Sequence, residues 1–185
     1  MKELIRKVGP CTLVPMSDDP FTLLIRCVIS QQISTKAARS IFDRLATLAG
    51  GPPISPLTLA ALSDDQIAAC GISGPKRRTL RAMTAHFDAN PTILPGIIER
   101  DNDTIREQLV AIKGIGPWSV DMFLIFAIAR PDVLPVTDFG VKAGVKKLFN
   151  LPDYPTPAEM QTIAKPWQPY RSIASWYVWR SLENT

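Results

Sequence analysis

Histidine and cysteine are nearly missing from this sequence, and their scarcity removes whole classes of chemistry. The only histidine is His86, with no cysteine or second histidine near it. Neither a zinc site nor a Ser-His-Asp triad can be assembled around it. Cys11, Cys27 and Cys70 are dispersed without metal-ligand spacing, which predicts reduced thiols rather than a disulfide framework. No apolar run reaches the roughly 18–20 residues that a membrane span needs. Residues 1–10 mix Lys2, Glu3, Arg6 and Lys7 with isolated hydrophobes, unlike a secretory signal, so a cytoplasmic chain is expected. Strand alternation of useful length, internal repeats and low-complexity tracts are absent as well.

What remains is helical. Apolar residues make up 46% of the 185, enough for one domain or two closely packed helical lobes. The net charge of +4 and pI near 9.1 permit a polyanionic partner without requiring one. Phe21, Leu24, Ile25, Val28 and Ile29 share one helical face, and Ala38, Ile41, Phe42, Leu45 and Leu48 share another. Ser34 is placed to cap the second of these, and Gly50-Gly51-Pro52-Pro53 forces a loop after it. Ser63 to Gln66 and Thr156 to Glu159 have capping-box spacing, and Gly71 is placed to end the helix after the first box. A basic helix is expected over 75–87, with Lys76, Arg77, Arg78 and Arg81. Asn102 is expected to cap the helix containing Ile105, Leu109 and Ile112.

The segment 109–119, Leu-Val-Ala-Ile-Lys-Gly-Ile-Gly-Pro-Trp-Ser, stops one helix, turns through Gly114 and Gly116, and restarts at Pro117. Glycines let a backbone approach an anion, and the unpaired N–H groups of a new helix favour negative charge, so a DNA phosphate suits this turn. An ordinary interhelical corner would use the same glycines for turn geometry alone.

The order of motifs around the turn is more specific. Segment 133–141, Val-Leu-Pro-Val-Thr-Asp-Phe-Gly-Val, places Asp138 twenty residues beyond Trp118. Upstream stand Ser30-Gln31-Gln32-Ile33-Ser34 and Gly71-Ile72-Ser73 with Lys76. Downstream come Trp167 and Pro169-Tyr170-Arg171-Ser172 through Trp179. This ordered set resembles the helix-hairpin-helix-GPD superfamily of DNA glycosylases, and within it the 3-methyladenine DNA glycosylase II group. The resemblance implies an all-α, helix-hairpin-helix glycosylase domain over 1–185, with two packed helical lobes and the active site in the cleft between them. The hairpin would be 109–119 and the catalytic loop and helix 133–149. The implied partner is double-stranded DNA containing damaged bases, met by a monomer, in the nucleoid of a bacterium or the nucleus of a eukaryote. No membrane partner is expected.

The resemblance also implies roles. Asp138 would be the catalytic carboxylate, although an aspartate there also suits a helix N-cap. Trp118, Trp179 and Met122 would line the base pocket, with Trp176 and Tyr177 as neighbours; helical periodicity alone would put the aromatic residues in the core. Gly114, Ile115 and Gly116 would hold phosphate, while Gln31, Gln32 and Ile33 form the loop that fills the emptied stack, with Gln32 or Ile33 as plug. No cofactor is expected for catalysis, and a structural Na+ or K+ would sit on the carbonyls of Val110, Ile112 and Ile115. Lyase branches carry a lysine two residues past the second hairpin glycine, where this chain has Trp118, which predicts a glycosylase that leaves the strand intact. Lys113 and Lys142 are poorer amines for that role by position. Cluster-bearing members need cysteines near the C-terminus, and none follows Cys70.

Thr137 stands where a second aspartate is common, and Met122 where an aromatic residue is common. The extra N-terminal sheet domain of some bacterial members is expected to have no counterpart. The alternatives are a glycosylase for another lesion class and a non-catalytic helix-hairpin-helix protein that binds DNA structure.

Overall fold

The computed structural model describes residues 1–14 and 19–183, and among them every regular element is helical. The helices are α1 (Lys2–Val8), α2 (Pro20–Ser30), α3 (Thr35–Leu48), α4 (Pro56–Ala61), α5 (Asp64–Ala69), α6 (Gly74–Ala89), α7 (Asn102–Val110), α8 (Pro117–Met122), α9 (Phe139–Leu148), α10 (Pro157–Ala164) and α11 (Arg171–Glu183). Two compact units divide them: Met16–Phe123 carries α2 to α8, and Met1–Pro15 with Leu124–Thr185 carries α1 and α9 to α11.

Capping chemistry sets most boundaries. Ser34 accepts from the Ala37 N–H at 3.3 Å, and both expected capping boxes form, at Ser63–Gln66 and at Thr156–Glu159. Gly71 follows α5 with φ +89°. One cap differs from expectation: Asp101, not Asn102, caps the N-terminus of α7. Its carboxylate accepts from the N–H groups of Asp103 and Thr104 at 3.0 and 2.9 Å and from the Thr104 hydroxyl at 2.7 Å. These bonds, led by those from Thr104, hold the Asp101 carboxyl below its usual range. An anionic acceptor of three donors makes the stronger cap, so the helix starts one residue earlier than the sequence suggests.

In the larger unit α6 packs against α2, α4 and α5, with Leu80, Met83 and Phe87 buried. Three of its four basic residues serve this packing. Arg81 donates to the carbonyls of Leu59 and Leu62 and pairs with Asp64 at 2.8 Å. Arg77 donates to the Ile72 carbonyl at 2.8 Å, and Lys76 serves the loop after α2. They satisfy carbonyls at the ends of neighbouring turns.

In the smaller unit α9 and α11 touch nearly backbone to backbone. A Cβ on Gly144 would come within 2.4 Å of Val178 Cγ1 and 2.8 Å of its carbonyl oxygen. Val141, Val145, Met160, Ala164 and Val178 form one buried cluster; Leu4, Trp176 and Tyr177 form another, and Trp179 packs against both. α8 runs on into a π-helical stretch, Phe123–Ala127, which apolar periodicity does not distinguish from an α-helix.

Candidate active site

The loop that leads to Asp138 is pinned to the start of α11. Arg171 forms a forked ion pair with Asp132, Nε to Oδ1 at 2.7 Å and Nη2 to Oδ2 at 2.9 Å. The Arg171 backbone N–H adds a bond to Oδ1 at 3.1 Å. The guanidinium, chiefly through these hydrogen bonds, holds the Asp132 carboxyl below the usual range. Buried Ser172 accepts from the Val133 N–H at 2.9 Å, and its own N–H donates to the Pro131 carbonyl at 3.0 Å. These contacts give the Arg171-Ser172 pair a mechanical reason to accompany an aspartate loop.

At the end of that loop Asp138 is the N-cap of α9 and only 9% exposed. Its Oδ1 accepts from the Val141 N–H at 2.7 Å and from the Trp179 indole N–H at 2.8 Å. The start of a helix carries partial positive charge and favours an anion. Gly140 makes the second bond possible, because a Cβ there would lie 2.9 Å from Trp179 Cδ1, 3.0 Å from its Nε1 and 3.1 Å from Asp138 Oδ1. Phe126 lies beside the indole, with ring centroids 5.3 Å apart. Thr137 is exposed.

The hairpin glycines, in the larger unit, differ from one another. Gly114 has φ +95°, and a Cβ there would fall 1.9 Å from the Thr79 hydroxyl oxygen. Gly116 has φ −103°, and nothing lies within 4 Å of its would-be Cβ. The fold demands the first glycine and makes no demand for the second. The buried Asp121 of α8 pairs with Arg106 of α7 at 2.5 Å, tying the two hairpin helices together.

The segment Gln31-Gln32-Ile33 divides in the same way. Gln31 points its amide at the hairpin, donating to Ser119 Oγ at 2.8 Å and to the Gly114 carbonyl at 3.3 Å. Lys76 Nζ donates to the carbonyls of Ile29 and Gln31 at 2.7 and 2.8 Å, and burial lowers its pKa. Gln32 is exposed in the left-handed region at φ 57°, and Ile33 is 37% exposed. Gln31 is therefore a fastener, and the residues turned outward are Gln32 and Ile33. No pattern in the chain singles out Ser119 as the other half of this clasp. In the sequence Lys76 reads as a spaced landmark on a basic helix, with nothing to show that it fastens this loop.

Trp118 is half-buried and Met122 buried in the larger unit, while Trp179 is half-buried beside Asp138 in the smaller one. Trp176 and Tyr177, expected as neighbours of the pocket, are buried with Leu4 in a cluster that Trp179 also packs against. The Tyr177 hydroxyl donates to the Gly9 carbonyl at 2.9 Å. Their apolar bodies belong to the core, as helical periodicity alone would place them. Among the described residues no group of three His, Cys, Asp or Glu side chains could hold a metal ion. The hairpin offers backbone oxygens, a hard donor set that suits an alkali cation. Of these, the Ile112 carbonyl also accepts from the Ile115 N–H at 3.0 Å.

Residues 25–169 match the family described as HhH-GPD superfamily base excision DNA repair protein. The chain is 31% identical over 181 residues to the alkylbase DNA glycosidase-like protein mag2 of Schizosaccharomyces pombe, covering 96% of this chain and 85% of that protein. It is 35% identical over 165 residues to DNA-3-methyladenine glycosylase 1 of the same yeast, covering 88% and 72% respectively. The solved structure of S. pombe 3-methyladenine DNA glycosylase Mag1 in complex with abasic DNA superposes with a TM-score of 0.88 at 31% identity, covering 98% of this chain and 90% of that one.

Proposed function

Because the chain belongs to the HhH-GPD superfamily of base excision DNA repair proteins, we propose that it is a DNA glycosylase for alkylated purines of the 3-methyladenine and 7-methylguanine type, acting on chromosomal DNA in the nucleoid or nucleus. The observation that supports this best is Asp138, a nearly buried carboxylate fixed at the start of α9 on the loop that follows the hairpin.

The target nucleotide leaves the duplex, at a cost of a few kcal/mol, while Gln32 or Ile33 occupies its place. The bond from C1′ to the base nitrogen then breaks, its electron pair passing to the base. An N3- or N7-alkylated purine is cationic, so it leaves as a neutral molecule. Positive charge develops on the sugar, where the Asp138 carboxylate stabilises it. Water adds to C1′ and gives its proton to Asp138, from which it passes to solvent. Trp179, beside Asp138, offers the extruded base an aromatic face, and such a face beneath a cation contributes about 0.5–2 kcal/mol. Gly114 and Gly116 bring backbone N–H groups to a phosphate, while the Ile115 N–H stays on the Ile112 carbonyl within the turn. The carbonyls of Val110, Ile112 and Ile115 would hold Na+ or K+, whose charge helps to neutralise that phosphate.

The lyase reaction needs an amine at C1′, and the hairpin position for it carries Trp118. Incubation with methylated duplex DNA should therefore release free 3-methyladenine or 7-methylguanine, and borohydride should trap no protein–DNA adduct. DNA binding with no base released would favour the non-catalytic alternative. An adduct lost on mutating one lysine would assign lyase chemistry.

Gly116→Ala tests the phosphate contact cleanly, since the methyl group meets nothing in the protein. Its expected effect is unchanged thermal stability and weaker binding to damaged and undamaged duplexes alike, because the contact reads backbone. Equal affinities in wild type and variant would remove the phosphate role.

A further inference from the structure

Trp179 does more than present an aromatic face. Its indole N–H donates to Asp138 Oδ1 at 2.8 Å, on the same oxygen that accepts from the Val141 N–H at 2.7 Å. Two donors on one carboxylate oxygen, from different helices, fix the plane of the carboxylate as well as its position. A bond to an ionised acceptor is stronger and more directional than a neutral one. The indole cannot drift, because Trp179 packs against both apolar clusters of its unit and Phe126 lies beside its ring. Gly140 keeps the space between indole and carboxylate clear: a Cβ would meet Trp179 Cδ1, Trp179 Nε1 and Asp138 Oδ1 within 3.1 Å. α9 thus has a glycine at its second position for the benefit of a bond between its N-cap and another helix.

We propose that Trp179 is a positioning residue for the Asp138 carboxylate, acting through its N–H, and that Gly140 is the vacancy that lets it do so. The proposal rests on the glycosylase reading above. A carboxylate stabilising charge at C1′ acts through distance and orientation, so a small rotation costs rate without changing how tightly DNA is held. The indole face and the N–H are separable functions. Phenylalanine keeps an aromatic face and loses the donor, while Gly140→Ala keeps both and displaces the donor.

The test measures two quantities for Trp179→Phe and Gly140→Ala: the single-turnover excision rate on a 7-methylguanine duplex, and Kd for the same duplex carrying a 2′-fluoro sugar that resists cleavage. Positioning predicts that both variants lose about 10–100-fold in rate, the scale of one hydrogen bond to a charged group, with Kd within about twofold of wild type. Melting temperatures confirm that each variant is folded under the assay conditions, and Gly140→Ala decides the matter should Trp179→Phe unfold. A wild-type rate in folded Trp179→Phe overturns the proposal, as does a rate loss matched by an equal loss of affinity. Asp138→Asn in the same series separates the two levels: if it alone is inactive, the positioning role fails and the glycosylase reading stands. If it is fully active, the carboxylate assignment itself has failed.

Discussion

Asp138→Asn should fold and bind DNA like the wild type and release base more slowly by a factor on the order of 10²–10³, the range over which one preorganised electrostatic partner acts on a charged transition state. The substitution is conservative everywhere except at the reacting sugar. Asparagine caps helices about as well as aspartate, and its amide oxygen can accept from the same Val141 and Trp179 N–H groups that Oδ1 serves now. What disappears is the negative charge. An amide oxygen offers a weak dipole to the oxocarbenium-like sugar and is too poor a base to take a proton from water. Single-turnover kinetics, a melting curve and a Kd for an abasic-site duplex check the three parts separately. A variant that cleaves within a few-fold of wild type would reduce Asp138 to a helix cap.

Gly114→Ala should destabilise the protein by about 2–5 kcal/mol, from backbone strain at positive φ together with overpacking. The new Cβ would stand 1.9 Å from Thr79 Oγ1 and 2.9 Å from Thr79 Cβ, at a φ of +95°. Relief requires the hairpin to move off α6, and the clasp from Gln31 to Ser119 and the Gly114 carbonyl would go with it. Adding Thr79→Ala removes the closest contact and should return part of the stability, leaving the φ penalty in place. Urea unfolding of the single and double variants beside Gly116→Ala measures each component. Equal stability in Gly114→Ala and Gly116→Ala would mean that the approach of α6 to the turn is not what holds the hairpin.

The fold was legible where local chemistry decides it. Helical spacing, the Ser63 and Thr156 capping boxes and the glycine turn each act over a few residues, and each formed where the sequence placed it. The cap of α7 slipped by one residue because Asp101 and Asn102 are adjacent candidates, and a carboxylate accepting three donors won. Trp176, Tyr177 and Trp179 share one helix, and no pattern within it states which meets Leu4 and which meets Asp138. That choice depends on α1 and on the loop pinned by Arg171 and Ser172. Gln31 likewise reads as a polar loop residue until Ser119 is found facing it, 88 positions away. The two hairpin glycines look equivalent in sequence and differ in backbone φ and in what surrounds them.

The most direct test is a duplex carrying one 7-methylguanine or 3-methyladenine at a known position, incubated with the wild-type protein and with Asp138→Asn. Wild-type protein should release one free base for each abasic site formed, with the strand intact until alkali cuts it at that position, while Asp138→Asn releases little over the same interval. Wild-type protein that binds this duplex and releases no base, or an Asp138→Asn variant that matches wild type, would contradict a glycosylase built on Asp138.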